Sequence, residues 1–243
     1  MAHPTDKMNM DTLLHLAKGP LFAGTFAFMI VGLARHILMQ SAQLGMSVTR
    51  LSYRKIGVLQ NLKAIILWLI PVNHLYRNRS LMSISSFLFH AGLLITPLFV
   101  ADHVTLLGNV LGFTWPALPA PGADGLTLTV IVAGLVLFGV RSLEHGARQL
   151  SSFIDYFLLI AVVTPFATGF MAFHPAVNPF SYQPMLLIHM LSAELLFVLI
   201  PMTKLSHCVL FPFLRFSSEV FWKMPVGAGE RVARELHGED ARV

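Results

Sequence analysis

Residues 185–213 read MLLIHMLSAELLFVLIPMTKLSHCVLFPF, an apolar run interrupted by two histidines, His189 and His207. The run is long enough to cross a bilayer as one helix. The two imidazoles lie 18 residues apart, and at about 100° per residue that is five whole turns, so both project from one face roughly 27 Å apart along the axis. A histidine inside hydrocarbon is costly and faces protein, a cofactor or water. Two on one stripe, near opposite membrane surfaces, fit axial ligands for two stacked haems, since imidazole is a standard ligand of haem iron. One helix supplies only one side of each iron, so a second histidine-bearing helix is required.

The rest of the chain agrees with a membrane setting. Its 243 residues are 55% hydrophobic and 12% charged, with mean hydropathy +0.69, too apolar for an ordinary soluble domain. The expected fold class is an all-α integral membrane protein. The N-terminus, MAHPTDKMNMDTLLHLAKG, has no charged-then-apolar pattern ending in a small-residue cleavage site, so no segment is expected to be removed. The single cysteine, Cys208, excludes an intrachain disulfide framework and a cysteine-held cluster, and reads as a small apolar helix residue. A net charge of +5 is compatible with nucleic acid, but the placement of the basic residues points to membrane orientation instead.

Five stretches reach spanning length: Leu21–Met39, Leu81–Leu107, Leu126–Val140, Phe153–Phe173 and Met185–Phe213. The third is short unless it includes Arg141 to Gly146, whose arginine can snorkel. Between the first two spans, LKAIILWLIP is too brief to cross and reads as an interfacial or re-entrant helix. Fifteen of the 17 Lys and Arg residues fall on one side, and only Lys7 and Lys18 on the other. That bias places the N-terminus outside and the C-terminus in the cytoplasm. The Pro- and Gly-rich connections GNVLGFTWPALPAPGADG and HPAVNPFSYQP are then outer loops. The simplest division is a five-helix membrane domain over residues 1–216 and a polar cytoplasmic tail over 217–243.

Of eleven histidines, most are set aside by position. His3, His15 and His237 lie in terminal polar segments; His36, His74 and His145 sit at the basic inner edge; His174 lies in the outer loop after the fourth span. Only the second span competes within hydrocarbon, with His90 and His103. It runs antiparallel to the fifth span, which levels His90 with His207 and His103 with His189. The inner pair fits this scheme better. Thirteen residues separate His90 from His103, about 20 Å of helix that leaves the rings near opposite faces. Pro97 lies between them, and a proline kink re-aims the outer half. Ala91, Gly92 and Ser206 adjoin the inner ligands and would let a flat macrocycle approach the backbones.

At this point the residues resemble a known group. His189, seventeen residues, then His207, ending in PMTKLSH, is similar to the last helix of the gamma subunit of respiratory nitrate reductase. The same architecture recurs in the membrane cytochrome of the sulfite-reduction-associated electron transfer complex and in the membrane subunit of heterodisulfide reductase. The resemblance covers Leu21 to about Arg215, with its specific part in the second and fifth helices. It implies a five-helix, N-out, di-haem b cytochrome that exchanges electrons with quinone near the outer haem. The thirteen-residue spacing in the second helix is longer than in the nitrate reductase subunit. The lysine near that subunit's quinol pocket has no counterpart on the outer half beyond Lys7 and Lys18. Both departures favour the sulfite or heterodisulfide branch.

The expected activity follows. Two haem b groups stacked across the membrane make an electron path from the quinone pool to a cytoplasmic iron–sulfur partner subunit, with room for further membrane or periplasmic subunits. Arg50, Arg54, Lys55 and the tail suit docking of that partner, although topology alone accounts for cations there. Quinone chemistry also moves protons, so Asp102 beside His103 and the intramembrane Glu194 are candidates for proton or quinone contact. Lys204, three residues before His207, is a candidate partner of a haem propionate. Two other readings stay open: a quinone-binding anchor with one haem or none, and a proton-coupled transporter, which predicts inverted repeats not visible here. No nucleophile-and-base pattern, phosphate loop or thiolate cluster is present, so terminal catalysis belongs to partners.

Overall fold

The computed structural model describes residues 4–50, 80–211, 213–214, 232 and 234–235. The interfacial helix expected around Trp68, the boundary at 216/217 and nearly all of the tail lie outside the described residues. All regular structure among the described residues is helical. Helix α1 (Pro4–Leu16) passes through a π-helical turn (Ala17–Leu21) into α2 (Phe22–Arg50). Pro20 lies inside that turn, and the Phe22 N–H reaches back to the Ala17 carbonyl, the widened register by which a helix accommodates a residue without an N–H. There follow α3 (Ser80–Phe99), α4 (Ala101–Leu111), α5 (Ala120–Leu143), the short α6 (His145–Gln149), α7 (Phe153–Phe173) and α8 (Tyr182–Met202).

Five helical runs are long and apolar enough to cross a membrane: Asn9–Gln43, Leu81–Phe99, Ala120–Leu143, Phe153–Phe173 and Tyr182–Met202. Their large side chains face outward, with Leu135 64% and Ile160 55% exposed. In water such a surface would be an aggregation site, whereas lipid is its natural solvent. The chain is a multi-pass helical membrane protein.

The expected span limits need correction at several ends. The first span is longer, because the π turn carries the helix through Pro20. The second is shorter: it stops at Phe99 rather than Leu107, because Val100 turns extended (φ −66°, ψ 135°) and α4 starts afresh. The third begins at Ala120, inside what reads as an outer loop. A proline in the first turn of α5 removes no needed hydrogen bond and presets the helical φ. It ends at Leu143, where Glu144 is extended (φ −73°, ψ 122°). The fourth has the expected bounds, and its start is set by Ser152 and Asp155, whose carboxylate accepts the Ser152 N–H at 2.8 Å. The fifth ends at Met202 instead of Phe213: Pro201 occupies the last turn, Thr203 is extended (φ −130°, ψ −175°), and Lys204–Ser206 forms a 3-10 turn. His207 therefore does not share one unbroken helix with His189, and the five-whole-turn relation between them does not hold.

Packing groups the chain into two units, Met1–Phe26 with Pro71–Phe197, and Ala27–Ile70 with Val198–Val243. In the first, α3 meets α5 at Gly92, where an added Cβ would come 2.5 Å from Val130 Cγ2. Gly134 of α5 is as close to Val163 of α7, with an added Cβ 2.6 Å from its Cγ2. Small residues at these crossings let the helices approach in lipid. Gly92 thus serves the helix contact rather than clearing space for a macrocycle beside His90. In the second unit, Gly32 of α2 plays the same part against Pro201, with an added Cβ 2.5 Å from its Cβ.

Candidate functional site

The outer end of α3 shows how the site is built. A helix terminus leaves its last carbonyls without intrahelical donors. Here each finds one: Pro97 O accepts from His103 Nδ1 at 3.1 Å, Leu98 O from Trp115 Nε1 at 2.7 Å, and Phe99 O from the Leu118 N–H at 2.8 Å. The loop between α4 and α5 turns back onto this break after Gly112, whose φ of 79° closes α4 in the left-handed conformation open to glycine. The break after Pro97 is therefore complete rather than a bend, and it swings His103 out of the direction a continuous helix dictates.

On the facing side, His189 of α8 donates from Nδ1 to the Pro165 carbonyl of α7 at 2.8 Å. Its ring lies against Gly169, where an added Cβ would stand 2.9 Å from Cε1. The imidazoles of His103 and His189 are parallel within 1°, with centroids 6.0 Å apart. Because a carbonyl only accepts, each ring carries its proton on Nδ1 and keeps the lone pair on Nε2. Burial pushes the His103 imidazole below its ordinary value, against the opposing pull of the Pro97 carbonyl and the Asp102 carboxylate. The neutral form is the one that binds a metal.

The remaining expected residues are placed individually. His90 on α3 donates from Nδ1 to Ser86 O at 2.7 Å, and His207 does the same to Lys204 O at 2.6 Å. His90 and His207 belong to different units, and the pair brought together within one unit, with parallel rings, is His103 with His189. Asp102 is exposed in the first turn of α4, and Lys204 is exposed at the start of the 3-10 turn. Glu194 is 4% exposed, and its Oε2 has no hydrogen-bond partner among the described residues.

Two histidines set aside by position have defined partners. His36 is part-buried within α2 and bonds through Nε2 to the Pro201 carbonyl at 2.8 Å, inside the second unit. His174 closes α7, donating from Nδ1 to Phe170 O at 2.8 Å with Nε2 3.3 Å from Asp124. The pattern missed in the sequence is that Pro97, Pro165 and Pro201, three prolines inside spanning helices, each lend a carbonyl to a histidine. Gly169 was missed as well, because only folding sets it beneath a ring.

Two imidazoles that held one iron between them, with metal–nitrogen bonds of about 2 Å and a ring radius of about 1 Å, would have centroids about 6 Å apart, which is the separation of this pair. Second-shell carbonyls on the far ring nitrogens are the usual means of orienting such ligands. Among the described residues no three His, Cys, Asp or Glu side chains gather to hold a bare metal ion, and an iron in porphyrin asks the protein for only two.

A protein of Nitratidesulfovibrio vulgaris (strain Hildenborough) is 33% identical over 198 residues, covering 79% of this chain and 86% of the relative. No protein-family model and no solved structure matches the chain.

Proposed function

The chain belongs to one family with this Nitratidesulfovibrio vulgaris protein, and from the geometry of its own imidazoles we propose that it is a di-haem b membrane subunit of a respiratory electron-transfer complex. It exchanges electrons between the quinone pool and a cytoplasmic iron–sulfur partner. The observation that carries this reading is the parallel His103–His189 pair at 6.0 Å. A haem b bound there would supply a one-electron iron couple. The residues do the rest: His103 and His189 hold through Nε2, the Pro97 and Pro165 carbonyls fix both rings, and Gly169 lets α7 pass beneath one of them.

The second haem carries over from the sequence expectation for His90 and His207, each of which donates from Nδ1 to a carbonyl of its own segment. Lys204 is assigned to a propionate beside it. The charge bias sets the N-terminus outside, in the inner membrane of a prokaryote, so the His103–His189 pair is the outer one, near the quinone. Asp102, exposed next to His103, is placed to accept a proton at that edge. The cytoplasmic cations, Arg50 among them, meet the acidic surface of the iron–sulfur partner, and further membrane or periplasmic subunits complete the assembly.

A mono-haem reading is favoured by the fact that one pair, not two, is face to face within a unit. Pyridine haemochrome analysis of the purified chain separates the two readings: two haems per polypeptide support the proposal, one selects the mono-haem subunit, and a colourless chain ends both.

A further inference from the structure

Glu194 stands out because hydrocarbon tolerates an ionised carboxylate only when something balances its charge. It is 4% exposed, with Oε2 unpartnered among the described residues. Ser192 Oγ, two residues away, donates to the His189 carbonyl at 2.8 Å instead. No Lys or Arg occurs from Ser80 to Val140 or from Gln149 to Thr203, and Arg141 is paired with Asp155 at 3.7 Å.

The titratable groups on α8 and on the elements that touch it are few. They are Tyr182 and His189 on α8, Asp155 and Tyr156 on α7 with His174 at its end, Asp102 and His103 on α4, Asp6, Lys7, Asp11, His15 and Lys18 on α1 and the π turn, and Arg35, His36 and Arg50 on α2, whose Phe22 and Phe26 meet Phe197 of α8. Lys18 and Arg35 are exposed, and no ion pair to Glu194 is found among the described residues. The missing positive charge has another source. Glu194 lies five residues from His189, about 7.5 Å along the helix and about 140° around it, and ferric iron in a dianionic porphyrin would carry one net positive charge that reduction removes.

We infer that Glu194 is a proton-binding site coupled to the iron held by His103 and His189, an inference that rests on the haem reading above. The carboxylate balances ferric iron. When one electron from a quinol or a chemical reductant converts that iron to the ferrous form, Glu194 takes one proton from water and becomes neutral, so electron and proton enter together and the net charge of the site is unchanged. Charge separation in a medium of low dielectric is the physical reason for the coupling.

The test is spectroelectrochemical titration of the full purified chain from neutral to alkaline pH, with redox-difference infrared spectra. The potential of one haem should fall as pH rises, tending toward about 59 mV per unit, the one-electron equivalent of a tenfold change. Glu194→Gln should flatten that slope and leave the other haem unaltered. Glu194→Asp should retain it, and a carboxylic acid carbonyl band appearing on reduction should shift in this variant and vanish in the first. Equal slopes in wild type and Glu194→Gln, with normal b-type absorbance, overturn the inference alone. If Glu194→Gln does not fold, an unshifted band in Glu194→Asp overturns it. A colourless wild type overturns both the inference and the haem reading beneath it.

Discussion

His189 is held from two sides, by the Pro165 carbonyl at 2.8 Å and by the bare backbone of Gly169. A methyl group at position 169 would stand 2.9 Å from Cε1, inside contact distance, so Gly169→Ala should push the ring off its axis. Disturbing a second shell typically costs tenfold to a hundredfold in metal affinity, on the order of one to three kcal/mol. The expected outcome is loss or broadening of one of two b-type signals, read by redox difference spectroscopy, while the protein stays folded. His103→Ala should remove the same signal, because in the proposed site His103 and His189 would each hold one side of one iron. His189 was legible from its neighbours in sequence as a side chain that needs a partner, since an imidazole in an apolar run is costly. Gly169 was not, because nothing local distinguishes it from a glycine at a helix crossing.

Between α3 and α4 the chain breaks rather than bends, and the break is what turns His103 toward α8. The carbonyls of Pro97, Leu98 and Phe99 are each taken by a group from α4 or the loop beyond it, so the break is sealed against lipid. Pro97→Ala restores a backbone N–H to α3 and favours continuation through Val100. It is expected to rotate His103 away and to lower bound haem from two per chain toward one, measured by pyridine haemochrome. Trp115→Phe removes one donor to Leu98 O and should cost about 1 kcal/mol, visible as a lower melting temperature in detergent with the haem content retained. Pro97 was visible as a kink in the sequence, but its consequence depends on Trp115 and Leu118, which arrive from the following loop. The same applies to α5, whose first turn looks like a loop because Pro and Gly crowd it, though proline at a helix start costs nothing.

The spanning helices turn large apolar side chains outward, and fifteen of the 17 Lys and Arg residues fall on one side of the expected topology. Orientation has a direct check: a fluorescent-protein fusion after Val243 should fluoresce, and an alkaline phosphatase fusion there should be inactive, if the C-terminus is cytoplasmic as proposed from the fifteen-to-two distribution of Lys and Arg. The opposite pattern would reverse the assignment of His103 and His189 to the outer side without disturbing their mutual geometry. Five spanning runs were readable because lipid demands length and apolarity of each segment alone. Their ends were not, because where a helix stops depends on which groups come to satisfy its last carbonyls.

What the order of amino acids settled was the solvent: about twenty apolar residues at a time can only be helices in a bilayer, and an imidazole within them must be occupied. What folding settled was partnership. His103 lies thirteen residues from His90 and, on an unbroken helix, would face away from it. It meets His189 because Pro97, Val100 and the Trp115 loop break the helix, and a direction in space produced by three separated segments is written in none of them alone.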